Sequence, residues 1–370
     1  MSKVVFSRST YKYESLRPAF FDIIDSIAGG LVTAGSRVVI KPNLLAPARP
    51  ASAMLTHPSV VRAAVEYVLE KDAKPVISDS PAMGSFGKVL ETSGIRDALG
   101  GLDVVFREFK DSRFVEVGEP FKKIEVASDA LDADLLINLP KLKTHSQMLL
   151  TLGVKNLYGC IVGLRKPEWH LKAGVNREMF ARLLVEVYRA VGPTVTIMDG
   201  ILAMEGEGPG KGGTPRQVGA LIGSLDAVAL DFAVCRMLGL DPYRLLTNRA
   251  AREMGLADEE ITVEGDIPRI DDFRLPEISP LIFGPPQLHG FMRRHLVQRP
   301  VSEQSACRLC GECWKYCPAG AIKPRSKRVV FDYDKCIRCY CCVEVCPHGA
   351  IGARETLPGR VLRKALGRGH

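Results

Sequence analysis

Along the first 275 residues the apolar positions change period repeatedly, with short β-branched runs alternating with stretches whose apolar residues recur every three or four places. That alternation predicts an α/β domain with a mainly parallel sheet flanked by helices. The β-branched runs predict strands at residues 4–7, 37–40, 75–78, 103–107, 135–138, 194–198 and 218–222. The helical periodicity predicts helices at 13–28, 59–71, 177–191, 227–238 and 243–253, with Asp226 capping the fourth. A proline- and glycine-bearing stretch, 276–287, ends this domain. After it Leu288, Phe291, Met292, His295 and Leu296 fall at helical spacing and predict a short amphipathic connector helix. Peripheral contact of that helix with a membrane surface is the weaker reading. The chain thus divides into an α/β domain (1–275), a linker (276–300), a small α+β module (301–355) and a basic tail (356–370).

The small module is defined by its thiols. Nine of the eleven cysteines lie between Cys307 and Cys346. They form Cys307-x2-Cys310-x2-Cys313-x3-Cys317-Pro318 and, 29 residues later, Cys336-x2-Cys339-x2-Cys342-x3-Cys346-Pro347. Three thiolates at spacing two wrap one face of a cubane, and the fourth, ahead of proline, reaches the other cluster. The arrays therefore predict a ferredoxin-like double 4Fe–4S module, with Cys307, Cys310, Cys313 and Cys346 on one cluster and Cys336, Cys339, Cys342 and Cys317 on the other. Paired Cys-x2-Cys also makes structural zinc sites, but the duplicated fourth cysteine before proline favours iron. Cys341 is an extra thiol that is not expected to be a ligand, and Trp314, Tyr316 and Tyr340 are expected to cover the clusters. The run 329–333 supplies the hairpin between the arrays. All-cysteine ligation predicts low potentials, on the order of −400 mV.

Charge and composition refine this picture. The formal net charge is +8, of which residues 301–370 carry +7, from 13 Lys/Arg against 6 Asp/Glu. Each four-thiolate cluster carries about −2, so the loaded module is far less basic than its sequence, and nucleic acid is not an expected partner. No run reaches the roughly 20 apolar residues that span a bilayer, and the amino terminus lacks the apolar core of a secretory signal. Together with thiols that must stay reduced, this predicts a cytoplasmic protein.

The α/β domain places polar groups directly after its predicted strands. Ile40 is followed by Lys41-Pro42-Asn43, Ser78 by Asp79-Ser80-Pro81, Asn138 by a run ending Lys141-Leu142-Lys143-Thr144-His145, and Met198 by Asp199-Gly200. Ligands of open α/β sheets bind at the carboxyl ends of the strands, so these groups predict one crevice. Lys41, Lys141, Lys143 and Lys155 would bring four ammonium groups to its rim, which suits a small phosphate or carboxylate ligand. A phosphate-bearing flavin is one candidate cofactor, because a two-electron substrate needs a converter beside one-electron clusters. No Gly-x-Gly-x-x-Gly follows a strand, and the glycine-rich stretch 206–213 reads as a plain loop ahead of a mobile active-site loop. His145 is the candidate general acid or base, with a loop-capping role equally open, and Lys141 and Lys143 are its candidate catalytic neighbours. Asn43, Asp79, Ser80, Asn156, Asp199 and Glu205 complete the candidate cofactor-binding set, with Asp231 as a further candidate metal-binding carboxylate; His57 and His170 are weaker candidates. Cys160 and Cys235 read as packing thiols.

Specific runs carry a resemblance. Lys41-Pro42-Asn43-Leu44, Thr56-His57-Pro58, Asp79-Ser80-Pro81, the run 138–145, Gly153-Val154-Lys155-Asn156-Leu157-Tyr158-Gly159, and Asp199-Gly200-Ile201 through Met204-Glu205-Gly206 to Gly208-Pro209 are similar to the domain-of-unknown-function 362 family, over roughly residues 30 to 260. Members with a carboxyl-terminal double 4Fe–4S module resemble the whole chain. The resemblance implies an iron–sulfur protein of redox role and supplies no substrate. The leading expectation is an oxidoreductase in which the module delivers electrons to a small anionic ligand in the crevice, served by a redox partner protein. The alternatives are a pure electron carrier or scaffold, and a ligand-binding or maturation protein whose clusters sense redox state.

Overall fold

In the computed structural model, residues 2–163, 165–174, 176–258, 260–276, 287, 291 and 295–365 are described, the last four of these by their backbone alone. Most of the expected connector helix, 288–296, lies outside them. The centre of the large domain is β2 (Arg37–Pro42), whose Val38 and Ile40 point into one apolar cluster and Val39 into another. A strand buried on both faces must be apolar throughout, and β2 is so until Lys41. The helices Tyr13–Ala28 and Pro58–Glu70 cover the first face, and Arg177–Val191 with Leu246–Glu253 the second.

Four strands run parallel through the middle: β3 (Lys74–Ile77), β2, β7 (Leu135–Leu139) and β10 (Val195–Gly206), with β4 (Val105–Phe106) at the edge. Beyond β10 the sheet becomes antiparallel through β11 (Gly213–Ser224) to β1 (Ser2–Arg8), and β12 (Ile261–Glu264) closes the other edge beside β1. The α/β class and most strand positions agree with the sequence pattern, and the helices 13–28 and 177–191 match it end for end. Asp226 caps its helix through bonds from the Val228 and Ala229 N–H groups. Three features were not legible as periods. The stretch after Asn138 continues into β8 (Lys141–His145), which pairs with β9 (Leu149–Thr151) and with β10. A hairpin forms from β5 (Ser112–Glu116) and β6 (Lys123–Ala127), and a helix spans Arg165–Ala173. Every residue of β8 is buried, including two lysines and a histidine, so no alternation marks it as a strand.

The small module consists of two hairpin-like pairs, β13 (Arg299–Ser302) with β16 (Ile351–Arg354) and β14 (Ile322–Arg325) with β15 (Arg328–Phe331). Its sequence repeat is also a backbone repeat. Leu309, Gly311 and Gly320 have φ of 52°, 97° and 57°, and their counterparts 29 residues on, Arg338, Tyr340 and Gly349, have 60°, 59° and 61°. Tyr340 thus takes a left-handed conformation where the first half uses glycine, at a steric cost. It is held there by burial and by its hydroxyl, which donates to the Gln298 carbonyl at 2.8 Å.

Where β11 crosses beneath the first helix the sheet tolerates no side chain. A Cβ at Gly223 would lie 2.2 Å from Ile23 Cγ2 and 3.1 Å from Ile27 Cδ1. Gly223→Ala is expected to destabilise the protein by roughly 1–3 kcal/mol through overpacking, read as a lower thermal midpoint with unchanged iron content.

Candidate functional site

A cleft opens at the carboxyl ends of the parallel strands, and both domains wall it. Lys41 and Asn43 come from the end of β2, Asp79 and Ser80 follow β3, Lys143 and His145 project from β8, and Lys155 and Asn156 lie on the turn Gly153–Asn156. The helix Arg165–Ala173 adds Lys166 and His170, and the module adds Tyr316, Cys341, Glu344 and Val345.

Each charged group has a distinct setting. Lys41 pairs with Asp79 at 3.0 Å in full burial, and Asp79 also accepts from the Leu44 and Ser80 N–H groups at 2.9 Å. Gly159 permits this pair, since a Cβ there would fall 2.1 Å from Asp79 Oδ1 and 2.5 Å from Lys41 Nζ. Lys143 has no carboxylate partner among the described residues; its ammonium donates to Asn43 Oδ1 and to the Met54 carbonyl, both at 2.7 Å. Asn43 in turn donates to Asn156, and Asn156 to Asn138, so an amide chain fixes the floor. Lys166 donates to the Ser80 carbonyl at 2.7 Å, and Lys155 makes no hydrogen bond among the described residues. Burial pulls Lys143 down to about 7 and Lys166 to about 8, and it lowers Lys155 as well. Four ammonium groups thus face two carboxylates, Asp79 and Glu344.

His145 is held by its own loop. Its Nδ1 accepts from the Gln147 and Met148 N–H groups at 3.1 and 3.3 Å, which leaves the proton on Nε2. That Nε2 sits 3.0 Å from Glu344 Oε1, an ion-pair distance but off the line of a hydrogen bond. Burial, followed by Lys155, lowers His145 to about 4, so at neutral pH it is a neutral donor. Two further buried polar atoms in the wall, Thr151 Oγ1 and His170 Nδ1, have no hydrogen-bond partner among the described residues. Orphaned groups of this kind call for a ligand or ordered water.

Not all expected groups reach the cleft. Lys141 turns into a separate buried cluster, donating to Asp199 at 2.7 Å and to the Tyr11 hydroxyl at 2.8 Å. Asp199 also accepts from Tyr11, from the Ile201 N–H and from the His57 N–H, which uses up its lone pairs. His57 stacks on Tyr11 with ring centres 3.6 Å apart, and its Nδ1 caps the following helix. Glu205 binds Arg274 outside the cleft. Asp231 holds the Gly153 and Val154 N–H groups. Cys160 is buried and its thiol is pushed up to about 12 by that burial, which makes it inert. The residues that sequence reasoning missed, Lys166, Thr151 and Glu344, lie in a helix, a strand and a cysteine array with no motif of their own. The glycine-rich turn 206–213 packs against the module, where a Cβ at Gly210 would lie 3.4 Å from the Glu344 carbonyl and one at Gly349 3.2 Å from Lys211 Cβ; within the large domain Ser146 donates to the Gly208 carbonyl at 2.6 Å, and Pro209 lines the cleft.

The module contains two small, nearly apolar hollows. One is lined by Cys307, Cys310, Cys313 and Cys346 with Trp314, the other by Cys317, Cys336, Cys339 and Cys342 with Tyr340. Backbone N–H groups of Ala321 and Ala350 donate to Cys317 and Cys346 Sγ at 3.3 and 3.2 Å. Four thiols lining one nearly apolar hollow, with a backbone N–H donating to a sulfur of each set, fit a thiolate-bound cluster. Cys341 lines both the second hollow and the cleft.

This combination of a sheet-end cleft and a cysteine-lined module defines an iron–sulfur protein. Residues 38–236 match the family described as a domain of unknown function, 362, and residues 299–347 match a 4Fe–4S dicluster domain. The chain belongs to the domain-of-unknown-function 362 family, with a 4Fe–4S domain at its carboxyl end. It is 39% identical over 302 residues to a thylakoid-associated protein of Synechocystis sp., covering 80% of this chain and 94% of that one. Among solved structures, the lactate racemase apoprotein from Thermoanaerobacterium thermosaccharolyticum aligns with a TM-score of 0.43 at 13% identity, over 64% of this chain. The chain covers 57% of that structure's length. Among the described residues no helix is long and apolar enough to cross a membrane.

The histidines give a measurable signature. Burial lowers His57 and His145 to about 4 and His170 to about 3, while an unfolded histidine titrates near 6.5. As pH falls below 6.5 the unfolded chain takes up protons that the folded chain refuses, so this contribution is full above pH 6.5 and is lost toward pH 4. Thermal midpoints should fall progressively over that interval, and His170→Phe should flatten the decline by up to about one proton in the linkage slope.

Proposed function

We propose that this chain is an iron–sulfur oxidoreductase acting on a small anionic ligand held in the cleft. In this reading Cys307, Cys310, Cys313 and Cys346 hold one 4Fe–4S cluster, and Cys317, Cys336, Cys339 and Cys342 hold a second. Such clusters supply one-electron transfer at low potential. The observation that carries the reading is Cys341, whose residue forms wall on both sides, between the second cysteine set and the lysine-lined cleft. Electron transfer needs short separation, and a single residue's width satisfies it.

The chain's own groups account for binding. Lys155, Lys143 and Lys166 offer ammonium charge that the two carboxylates do not balance, and Thr151 and His170 offer polar atoms with no hydrogen-bond partner among the described residues. Lys143, poised near neutrality, is the group from which a proton is available to a ligand that gains electrons. The module roofs the cleft and limits entry of water. A phosphate-bearing cofactor such as a flavin belongs to the same ligand class.

Anaerobically purified protein is expected to contain about eight irons per chain, from two cubanes. Mass spectrometry of material released on denaturation should identify the bound anion. Lys155→Ala should lose that molecule, and weaken binding of added phosphate by roughly tenfold or more, with iron content retained. Cys341→Ala should also keep its iron, whereas Cys339→Ala should not. Unaltered ligand binding in Lys155→Ala would sink the cleft assignment and leave an electron carrier without a substrate of its own.

A further inference from the structure

The two hollows differ in what surrounds them. Beside the second hollow Cys336, Cys339 and Cys342 are buried, Cys317 is half-buried and Cys341 also lines the cleft, whereas in the first set Cys310 is exposed and Cys307 half-buried. The wall of the first hollow includes Arg308, and Val329 of the β14–β15 hairpin. Next to Val329 lies the hairpin turn, and Lys323, Arg325, Lys327 and Arg328 are all exposed there. None of these four, nor Arg308, forms an ion pair among the described residues, unlike Arg354 and Lys335 elsewhere in the module, which pair with Glu303 and Asp332. From residue 304 to residue 331 the only acidic residue is Glu312, against six Lys/Arg. A bound cluster of about −2 would not cancel that field.

Exposed lysines and arginines are ordinarily a solvated face. Here they sit around the cysteine set that contains the exposed Cys310, whose hollow shares no lining residue with the cleft. An electron carrier must bring its redox centre close to this hollow, and unpaired charge around the point of approach raises the rate of productive encounter. We propose that Arg308 and the hairpin turn 323–328 form the docking surface for an acidic electron-carrier protein, which exchanges one electron with the chain at the first cysteine set. One partner loses the electron and the other gains it; no bond forms or breaks and no proton travels. That the carrier is the donor rests on the reading of the cleft given above, while the docking surface itself does not.

The test uses the full chain, anaerobically purified with its iron, and an acidic plant-type ferredoxin as the probe, with binding measured by titration calorimetry. Binding is expected at about 20 mM salt and should weaken strongly by about 300 mM, where the screening length has shortened several-fold. The triple substitution Arg325→Glu, Lys327→Glu, Arg328→Glu should weaken binding roughly tenfold or more and reduce the salt dependence. The turn is exposed, and thermal midpoint and iron content report its integrity; the neutral triple Arg325→Gln, Lys327→Gln, Arg328→Gln should fall between the reversal and the parent. Reversal of Lys110 and Lys122, exposed cations of the α/β domain, should change nothing. The proposal is overturned if the probe fails to bind at low salt, if the turn reversal leaves affinity and salt slope unchanged, or if duplex DNA binds more tightly than the acidic protein. Loss of ligand binding in the cleft would leave each of these readings intact.

Discussion

Burial of positive charge at the ends of the parallel strands is the constraint on which the molecule turns. Four lysine ammonium groups line one cleft, and among the described residues only Lys41 forms an ion pair there, with Asp79. An unpaired ammonium in a low-dielectric site either loses its proton or finds compensation. The chain uses three devices. Lys143 is held by a carbonyl and an amide oxygen, Lys166 by a carbonyl, and the remaining field falls on Glu344, which the neighbouring module supplies. The lowered values of Lys143 and Lys166 show that this compensation is incomplete. An anion held in the cleft, as proposed, would complete it and would turn a stability cost into binding energy.

The same constraint explains why glycine recurs in the family runs. Gly159 lies against the Lys41–Asp79 pair with no room for a methyl group, and Gly153 passes Asp231 closely enough that a Cβ would lie 3.0 Å from its carboxylate oxygen. Asp231 accepts the Gly153 and Val154 N–H groups and so anchors the turn that carries Lys155 and Asn156. Burial raises Asp231 to about 8 despite those two bonds, so the turn depends on a carboxyl group kept close to its titration point. Backbone contact, more than side-chain chemistry, sets these positions.

Much of this was readable in the chain. The strand-end position of Lys41, Asn43, Asp79 and Ser80 followed from period and punctuation, because a buried parallel strand reads as an apolar run and its polar successor stands out. The cysteine arrays stood out by spacing alone; Cys307, Cys310, Cys313 and Cys346 line one hollow, and Cys317, Cys336, Cys339 and Cys342 line the other with Cys341. What could not be read was direction within β8. Lys141, Lys143 and His145 alternate at spacing two, which places them on one face of an ideal strand. Yet the register between β8 and β10 slips between Asp199 and Met204, and Lys141 ends beside Asp199 while Lys143 and His145 end in the cleft. A register shift leaves no mark in the sequence of either strand. Glu344 was hidden for another reason: within a cysteine array it reads as a spacer, and only docking of the module reveals what it faces.

The docking also gives the module a polarity that its internal repeat lacks. The two halves share spacing and even left-handed backbone positions, so taken alone neither cysteine set is distinguished. Asymmetry comes from the residues between the cysteines. In the first half the site that follows Gly311 is Glu312, near solvent; in the second, Tyr340 and Cys341 occupy the equivalent turn and are buried against the large domain. Tyr340 accepts a strained backbone to reach Gln298, and Cys341 then has its place in the partition between thiol set and cleft. A glycine at 340 would relieve the strain but remove the anchor. The cost of the left-handed tyrosine is therefore tied to the orientation of the module, with one cysteine set against the lysine-lined cleft and the other turned outward.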